Sequence, residues 1–428
     1  MWAYPFRAEP PGRRPRRRAR LVRATAAAVA AGLLGSAVTA SPALAAAPPE
    51  TAAPPETAAA SETAAAAETA GSPRVTVTDV GAPDRLATNL FPEDLNDAGV
   101  VTGYGLLGGP QPFQAFTWAD GTLTLLNAPS ADPGAFSFPV ALNNHGQVVG
   151  FTTVGGTAHS LRWDGADPTD ISAAGGNSHP LAVNDAGQVL LTEGGAAALW
   201  TAGSRVAVAP FPVTNAVGLN GSGQVFGTGR AAGADATDRA FVWTPTATTD
   251  IGPFGLTTTT TDLNDSGQLI GYGALAQSPN RTHSFVWTPA RAGRPAALTD
   301  LGTLANLETE ARDISNSGHI VGRSGTRSGW HAVRWQGGRL VDLGVLPGGT
   351  SSEALAVNET GQAAGWGIAG DGRPHAILWK RDRPIDLGVP AGFTQSFAID
   401  INAAGRVLGY AIDETGGVHS FVWTVTGG

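Results

Sequence analysis

The sequence predicts an all-β protein, an eight-bladed β-propeller of four-stranded blades, on three observations. One cassette recurs eight times, each repeat carries one Trp at a fixed place, and the chain begins with the strand that its last repeat lacks. The cassette is marked by a Gly-containing turn starting at Asn96, Asn143, Asn184, Asn220, Asn264, Ser315, Asn358 and Asn402, with steps of 47, 41, 36, 44, 51, 43 and 44 residues. A period in that range is the signature of a propeller blade or a comparable repeat unit.

Within a repeat, four short apolar runs are separated by turn signals, as expected of four strands. In the seventh repeat EALAV leads into Asn358-Glu359-Thr360-Gly361, followed by QAAGWG, PHAILW and IDLG. Asn-x-x-Gly suits a type I turn whose last residue takes positive φ, because Asn bonds its own backbone and Gly has no Cβ to clash. The side chains of Asp97 and Asp265 within these turns are expected to be solvated. The repeat Trp are 118, 163, 200, 243, 287, 335, 379 and 423, and Phe two residues earlier (116, 241, 285, 421) shares their strand face. One large aromatic per blade fills the wedge between packed blades.

The fourth strand reads TDIG at 249–252, TDLG at 299–302, VDLG at 341–344 and IDLG at 385–388, with weaker forms at 123–127 and 169–172. Nothing of the kind follows Trp423, but VTVTDVG stands at 75–81. Pairing the two ends closes a ring and hides both sheet edges. The propeller is therefore expected over 74–428, as a monomer.

Residues 1–45 read as a signal peptide: Arg13, Arg14, Arg16, Arg17, Arg18, Arg20 and Arg23, an Ala-rich apolar run, then Ala43-Leu44-Ala45 for cleavage. The apolar run is too short and Ala-rich for an integral membrane anchor, so a secreted, extracellular protein is expected, with association to the cell envelope one form of it. Residues 46–73 repeat Glu-Thr-Ala amid Ala and Pro and read as a disordered spacer.

Only 14% of the residues are charged, while 58 Gly and 30 Pro suit many short strands joined by tight turns. The leader holds eight Arg and one Glu, and without it 19 basic and 34 acidic residues leave a net charge of −15. Such a surface repels phosphate, which argues against nucleic acid and anionic membrane as partners. Cysteine is absent, which removes thiol nucleophiles and Cys-ligated metals.

The blocks HSFVW (283–287), HAVRW (331–335), HAILW (375–379) and HSFVW (419–423), beside N-x-x-G-Q-V-x-G and DLG, resemble the HAF-repeat family of extracellular bacterial proteins. The resemblance covers 74–428 and departs from the pattern at Gln114, Ala196 and Arg239, which replace His. It implies export and repetition, and no particular reaction.

Five His (159, 283, 331, 375, 419) precede a repeat Trp by four residues. One per blade is too widely spaced for a shared metal, so each is expected to bond within its blade, to Asp170, Asp250, Asp342 or Asp386. No metal site and no cofactor is expected. The repeated carboxylates do not converge as a catalytic pair must, and no nucleophile elbow, H-E-x-x-H or Ca²⁺ loop occurs.

The candidate ligand-binding residues are a partial ring of aromatics eight residues after the turn starts, Tyr104, Phe151, Tyr272, Trp366 and Tyr410. They directly follow a strand Gly, and Thr192, Thr228 and Arg323 take the place in other repeats. Trp330, in the blade-specific RSGTRSGWH at 323–331, joins them. Rings at a propeller rim can stack on sugar or proline faces, and inter-blade packing is the competing account of them. The expected function is an exported binding or scaffold module for a polysaccharide or a cell-surface protein. The alternatives are a hydrolase or lyase with acid and base on blade-specific loops, which a non-repeated polar cluster within 306–331 would favour, and a structural envelope protein.

Overall fold

In the computed structural model eight four-stranded antiparallel sheets follow one another around a ring. The structure describes residues 73–81, 89–106, 113–129, 136–230 and 237–427. The leader and nearly all of the spacer lie outside the described residues.

The strands of each blade are lettered A to D outward, since each A strand neighbours the A strands of adjacent blades. Blades 1 to 7 span 90–125, 138–170, 178–208, 213–252, 259–300, 309–344 and 352–388. Blade 8 takes strands A to C from Gln395–Ile401, Val407–Ile412 and Val418–Thr426, and its fourth from the N-terminal strand Arg74–Asp79. The register runs from Arg74 opposite Thr426 to Asp79 opposite Phe421. Asp79 Oδ1 accepts the Gly81 amide at 2.7 Å, as Asp342 and Asp386 accept Gly344 and Gly388 in their own blades, so the displaced strand keeps the local bonding of the repeat.

All eight repeat Trp are buried, at 0–8% exposure, each in its own apolar cluster between neighbouring blades. Trp335, for example, packs with Ile314, Ile320 and Val333 of blade 6 and Ile270 of blade 5.

The turns at strand A to B carry more than the sequence announces. All eight turn Gly take positive φ, from 71° to 89°. The Asn side chain accepts an amide four residues on, while its Nδ2 donates to the backbone oxygen of the next blade's turn. These bonds link 96 to 143, 143 to 184, 184 to 220, 220 to 264, 264 to 315, 358 to 402 and, closing the ring, 402 to 96, at 2.9–3.2 Å. Ser315 is too short to reach Asn358. Asp97 and Asp265 are staples as well, which corrects the expectation that they are solvated: Asp97 accepts the Ala403 amide at 3.0 Å and Asp265 the Gly221 amide at 2.7 Å. Curling the repeats into a ring brings each turn against the previous one, a proximity that spacing alone does not reveal.

Each strand A also carries a bulge at one equivalent place, and the extra residue is Glu93, Val140, Leu181, Val217, Thr261, Arg312, Leu355 or Ile399. A bulge leaves two residues opposite one and re-aims a side chain. It also explains the strand Gly: a Cβ on Gly365 would stand 2.0 Å from the Glu353 carbonyl oxygen, and one on Gly322 2.0 Å from that of Glu310.

Candidate functional site

The A-to-B turns lie at one end of the ring, and the B-to-C loops with the D-to-A connections lie at the other. Each candidate aromatic is the fourth residue of a strand B of five to seven residues, so these five stand within the blades rather than at strand ends, while Trp330 opens strand C of blade 6 at this second rim. They do not form one exposed ring. Tyr104 (3% exposed) stacks on Phe91 at 5.0 Å and Tyr410 (5%) on Phe397 at 5.1 Å, so neither offers a face. Phe151 is half-buried against Phe138 and His179, and Trp366 meets Phe397 edge-on at 5.5 Å. Tyr272 is half-buried and close enough to Arg312 to favour its charge.

Trp330 is different. Of the ten described Trp, it alone belongs to none of the apolar clusters and is packed against none. It is half-buried, and the Arg323 guanidinium lies 4.3 Å from its ring centroid. Arg323 donates to Glu310 at 3.0 Å and to Glu353, across the blade boundary, at 3.4 Å. Beneath them Arg312, at the bulge and 1% exposed, binds the same two carboxylates, Glu353 Oε1 at 2.8 Å and Glu310 Oε2. Burial works against the Arg312 charge, yet Glu353, Glu310 and Tyr272 outweigh it and hold its pKa above the ordinary guanidinium value. Two cations and two anions thus close a neutral network that fixes Arg323 under one face of Trp330.

Residues 306–331 therefore do bring a non-repeated polar cluster to one rim. Arg323 and Trp330 stand out in the sequence. Glu310, Arg312 and Glu353 do not, although Arg312 interrupts a position that is Val140, Val217, Leu355 or Ile399 in other blades.

The repeat His pair with Asp inside their blades: His159 with Asp170 at 2.8 Å, and His283 with Asp300, His331 with Asp342 and His375 with Asp386 at 3.0 Å. Arg239 replaces His opposite Asp250, and His419 faces Asp79 of the N-terminal strand at 3.9 Å. These pairs sit on the outer strands, partly in solvent, rather than in a buried core network. Among the described residues no group of three or more His, Asp or Glu is arranged to hold a metal.

Two further features belong to the same frame. After the bulge stand the buried Asp94, Asp262, Asp313 and Asp400, and Asp262 Oδ2 accepts the Ile314 amide at 3.2 Å while Asp313 Oδ2 accepts Val357 at 2.6 Å. Burial, then the neighbouring Asp313 carboxyl, pushes the Asp262 pKa well above the usual carboxylate range. At the opposite rim a cleft of about 290 Å³ is lined by His145, Gln147, Arg162, Asp185 and Thr201. Gln147 and Arg162 there are engaged on Asp164, and Asp185 accepts from Asn144.

No family model and no curated protein sequence matches the chain. Among solved structures it is similar to the β-propeller domain of the Trilobed protease from Pyrococcus furiosus, at 6% identity over 71% of this chain and 96% of that one, with a TM-score of 0.46. It is also similar to the Pyrococcus horikoshii acylaminoacyl peptidase, at 8% identity over 77% of this chain and 58% of that one, with a TM-score of 0.44. A third is the Trypanosoma rangeli sialidase, at 9% identity over 79% and 54%, with a TM-score of 0.30. No residue, substrate or partner is carried over from any of them.

Proposed function

We propose that this protein is an exported propeller of the HAF-repeat kind that acts as a binding module, taking a carbohydrate or a cell-surface protein at the rim of blades 6 and 7. The observation that carries this reading is Trp330, a half-buried indole outside every apolar cluster and held from one side by Arg323. A large aromatic left out of the core contributes little to stability where it stands. Its ring is nonetheless oriented in advance, which lowers the entropy lost when a ligand stacks on it. Export rests on the basic and apolar leader, and the spacer would set the ring away from its point of attachment.

A reading as a glycoside hydrolase finds less support, because Glu310 and Glu353 are each bound to two guanidinium groups. A catalytic carboxyl must be free to meet the glycosidic bond, and these two are spent on ion pairs.

The test is retention of the full mature protein on cell-wall polysaccharide and surface-protein fractions, compared with its Trp330→Ala variant. Loss of retention in a variant with an unchanged melting temperature supports the reading. Equal retention of both proteins on every fraction defeats it.

A further inference from the structure

Resting on that reading of the rim, we infer that the ligand stacked on Trp330 is an uncharged carbohydrate, whose sugar ring lies on the indole face away from Arg323 while its hydroxyls bond polar groups around that ring. Three features of the site select this class.

The first is charge. Arg312 and Arg323 are already neutralised by Glu310 and Glu353, and the network has no net charge. A carboxylated or sulfated sugar would find both guanidinium groups occupied and two carboxylates beside it, so binding it would cost ion pairs already made. The rest of the protein adds to this, since the acidic excess of the mature chain repels polyanions. Two charges outside the network, the exposed Arg327 in the loop before Trp330 and the Glu308 carboxylate beside Gly325, are one of each sign and leave the rim balanced toward ions of either kind.

The second is the setting of the aromatic. Protein interfaces centre on a contiguous apolar core. Among the described residues the exposed large apolar side chains are Val77, Leu125, Val154, Val206, Leu256 and Leu298, and none belongs to blade 6 or 7. Trp330 stands instead among ionic and hydroxyl groups, with Thr326 and Ser328 in the loop just before it. One apolar face ringed by hydrogen-bonding groups matches a sugar, which is apolar on its C–H face and polar around its edge.

The third is rigidity. A guanidinium bonded to carboxylates from two blades cannot swing away from the indole without breaking both pairs. The buried Arg312 is a positioning residue here, because it holds the two carboxylates at a bulge that most other blades fill with an apolar side chain.

The experiment is affinity electrophoresis of the full mature protein through gels containing neutral polysaccharides (glucans, mannan, xylan) or anionic ones (polygalacturonate, heparin), at low and high salt. Column retention on a surface-protein fraction runs in parallel. Trp330→Ala and Trp330→Phe are compared with the parent protein, with melting temperatures as a control for folding. The expected result is retardation by at least one neutral polysaccharide that is insensitive to salt, weakened at least about tenfold by Ala and largely kept by Phe. If binding that depends on Trp330 is seen only with an anionic polysaccharide or with the protein fraction, the uncharged ligand is overturned while the binding rim stands. If nothing binds in a way that depends on Trp330, both fall.

Discussion

Blades 8, 1 and 2 and blades 6 and 7 use the same backbone positions for opposite chemistry. In the first arc the paired residues of strands A and B are Phe397 with Tyr410, Phe91 with Tyr104 and Phe138 with Phe151, stacked at 5.0–5.6 Å. In the second they are Glu310 with Arg323 and Glu353 with Trp366, and the bulge residue is Arg312 where blade 8 has Ile399. Strand Gly and register shift are shared, so the backbone does not require the ions. The aromatic arc meets the demands of inter-blade packing. Substituting a buried ionic network at the same place gives up hydrophobic stabilisation and carries a desolvation cost, which evolution tolerates most readily where a fixed polar geometry is used.

The largest expected effect tests that contrast directly. Arg312→Ala removes the buried cation and leaves Glu310 and Glu353 facing each other, and it should cost about 3–5 kcal/mol by denaturant unfolding. Replacing the whole network with its aromatic-arc counterparts (Glu310→Phe, Arg312→Ile, Arg323→Tyr, Glu353→Phe) should instead be neutral or stabilising by about 1–4 kcal/mol. If the fourfold variant is as unstable as Arg312→Ala, the network is structural and its functional assignment loses its basis.

The second prediction concerns pH in blades 5 and 6. Because the folded state raises the Asp262 pKa above 3.8, it holds that proton more tightly than the unfolded chain does. Stability is therefore greatest below the ordinary carboxylate value and falls as pH rises from there through the raised value. Asp262→Asn keeps a carbonyl oxygen for the Ile314 amide and offers Asp313 a permanent donor, at the loss of the oxygen that accepts the Leu263 amide. It should flatten that fall and raise the melting temperature at neutral pH. An unaltered slope of melting temperature against pH would show that Asp262 is not the titrating group.

Much of this architecture is legible in the sequence, and the reasons differ between parts. Trp spacing and the DLG strands express local alternation, so blade number, strand order and closure through residues 74–79 can be read directly. Three of the His–Asp pairs can be read as well, being cross-strand neighbours in one sheet, whereas Asp250, expected to meet a His, pairs with Arg239, and His283 takes Asp300. The bulge cannot, because pairing strand A with strand B out of step leaves only an unexplained Gly at 103, 150 or 365. Tyr104 and Trp366 share one sequence position, and only the next blade's partner decides which is buried. Glu353 joins Arg323 across thirty residues of sequence and a blade boundary, so no local pattern links them.

A smaller effect separates the junctions. Asn402→Ala removes the acceptor of the Arg406 amide together with one staple of the 8–1 closure, the buried hydrogen bond to the Asn96 carbonyl, and should cost about 1–2 kcal/mol. At the 6–7 junction Ser315 makes no such bond, and Ser317 Oγ donates to the Glu359 carbonyl oxygen at 2.7 Å in its stead. Ser315→Ala should therefore cost less than Asn402→Ala. Equal losses would mean that the Asn bonds hold only their own turns and do not join blades.

The smallest effect is expected at Trp330, and it is best read against Trp335 five residues along the same strand. Trp335 is 1% exposed in the cluster with Ile314 and Val333, so Trp335→Ala should cost about 3–5 kcal/mol. Trp330 gives up only a partly exposed stacking contact with Arg323, which retains both carboxylates, so Trp330→Ala should cost about 0.5–1 kcal/mol. Trp366→Ala should fall between them, because that ring is half-buried yet still packs on Phe397. Unfolding of the three variants under one set of conditions would rank them. A Trp330→Ala loss comparable to that of Trp335→Ala would make this indole a core residue. An aromatic that the blade needs for its own stability has a packing role sufficient to explain it, and its place at the rim would no longer point to a ligand.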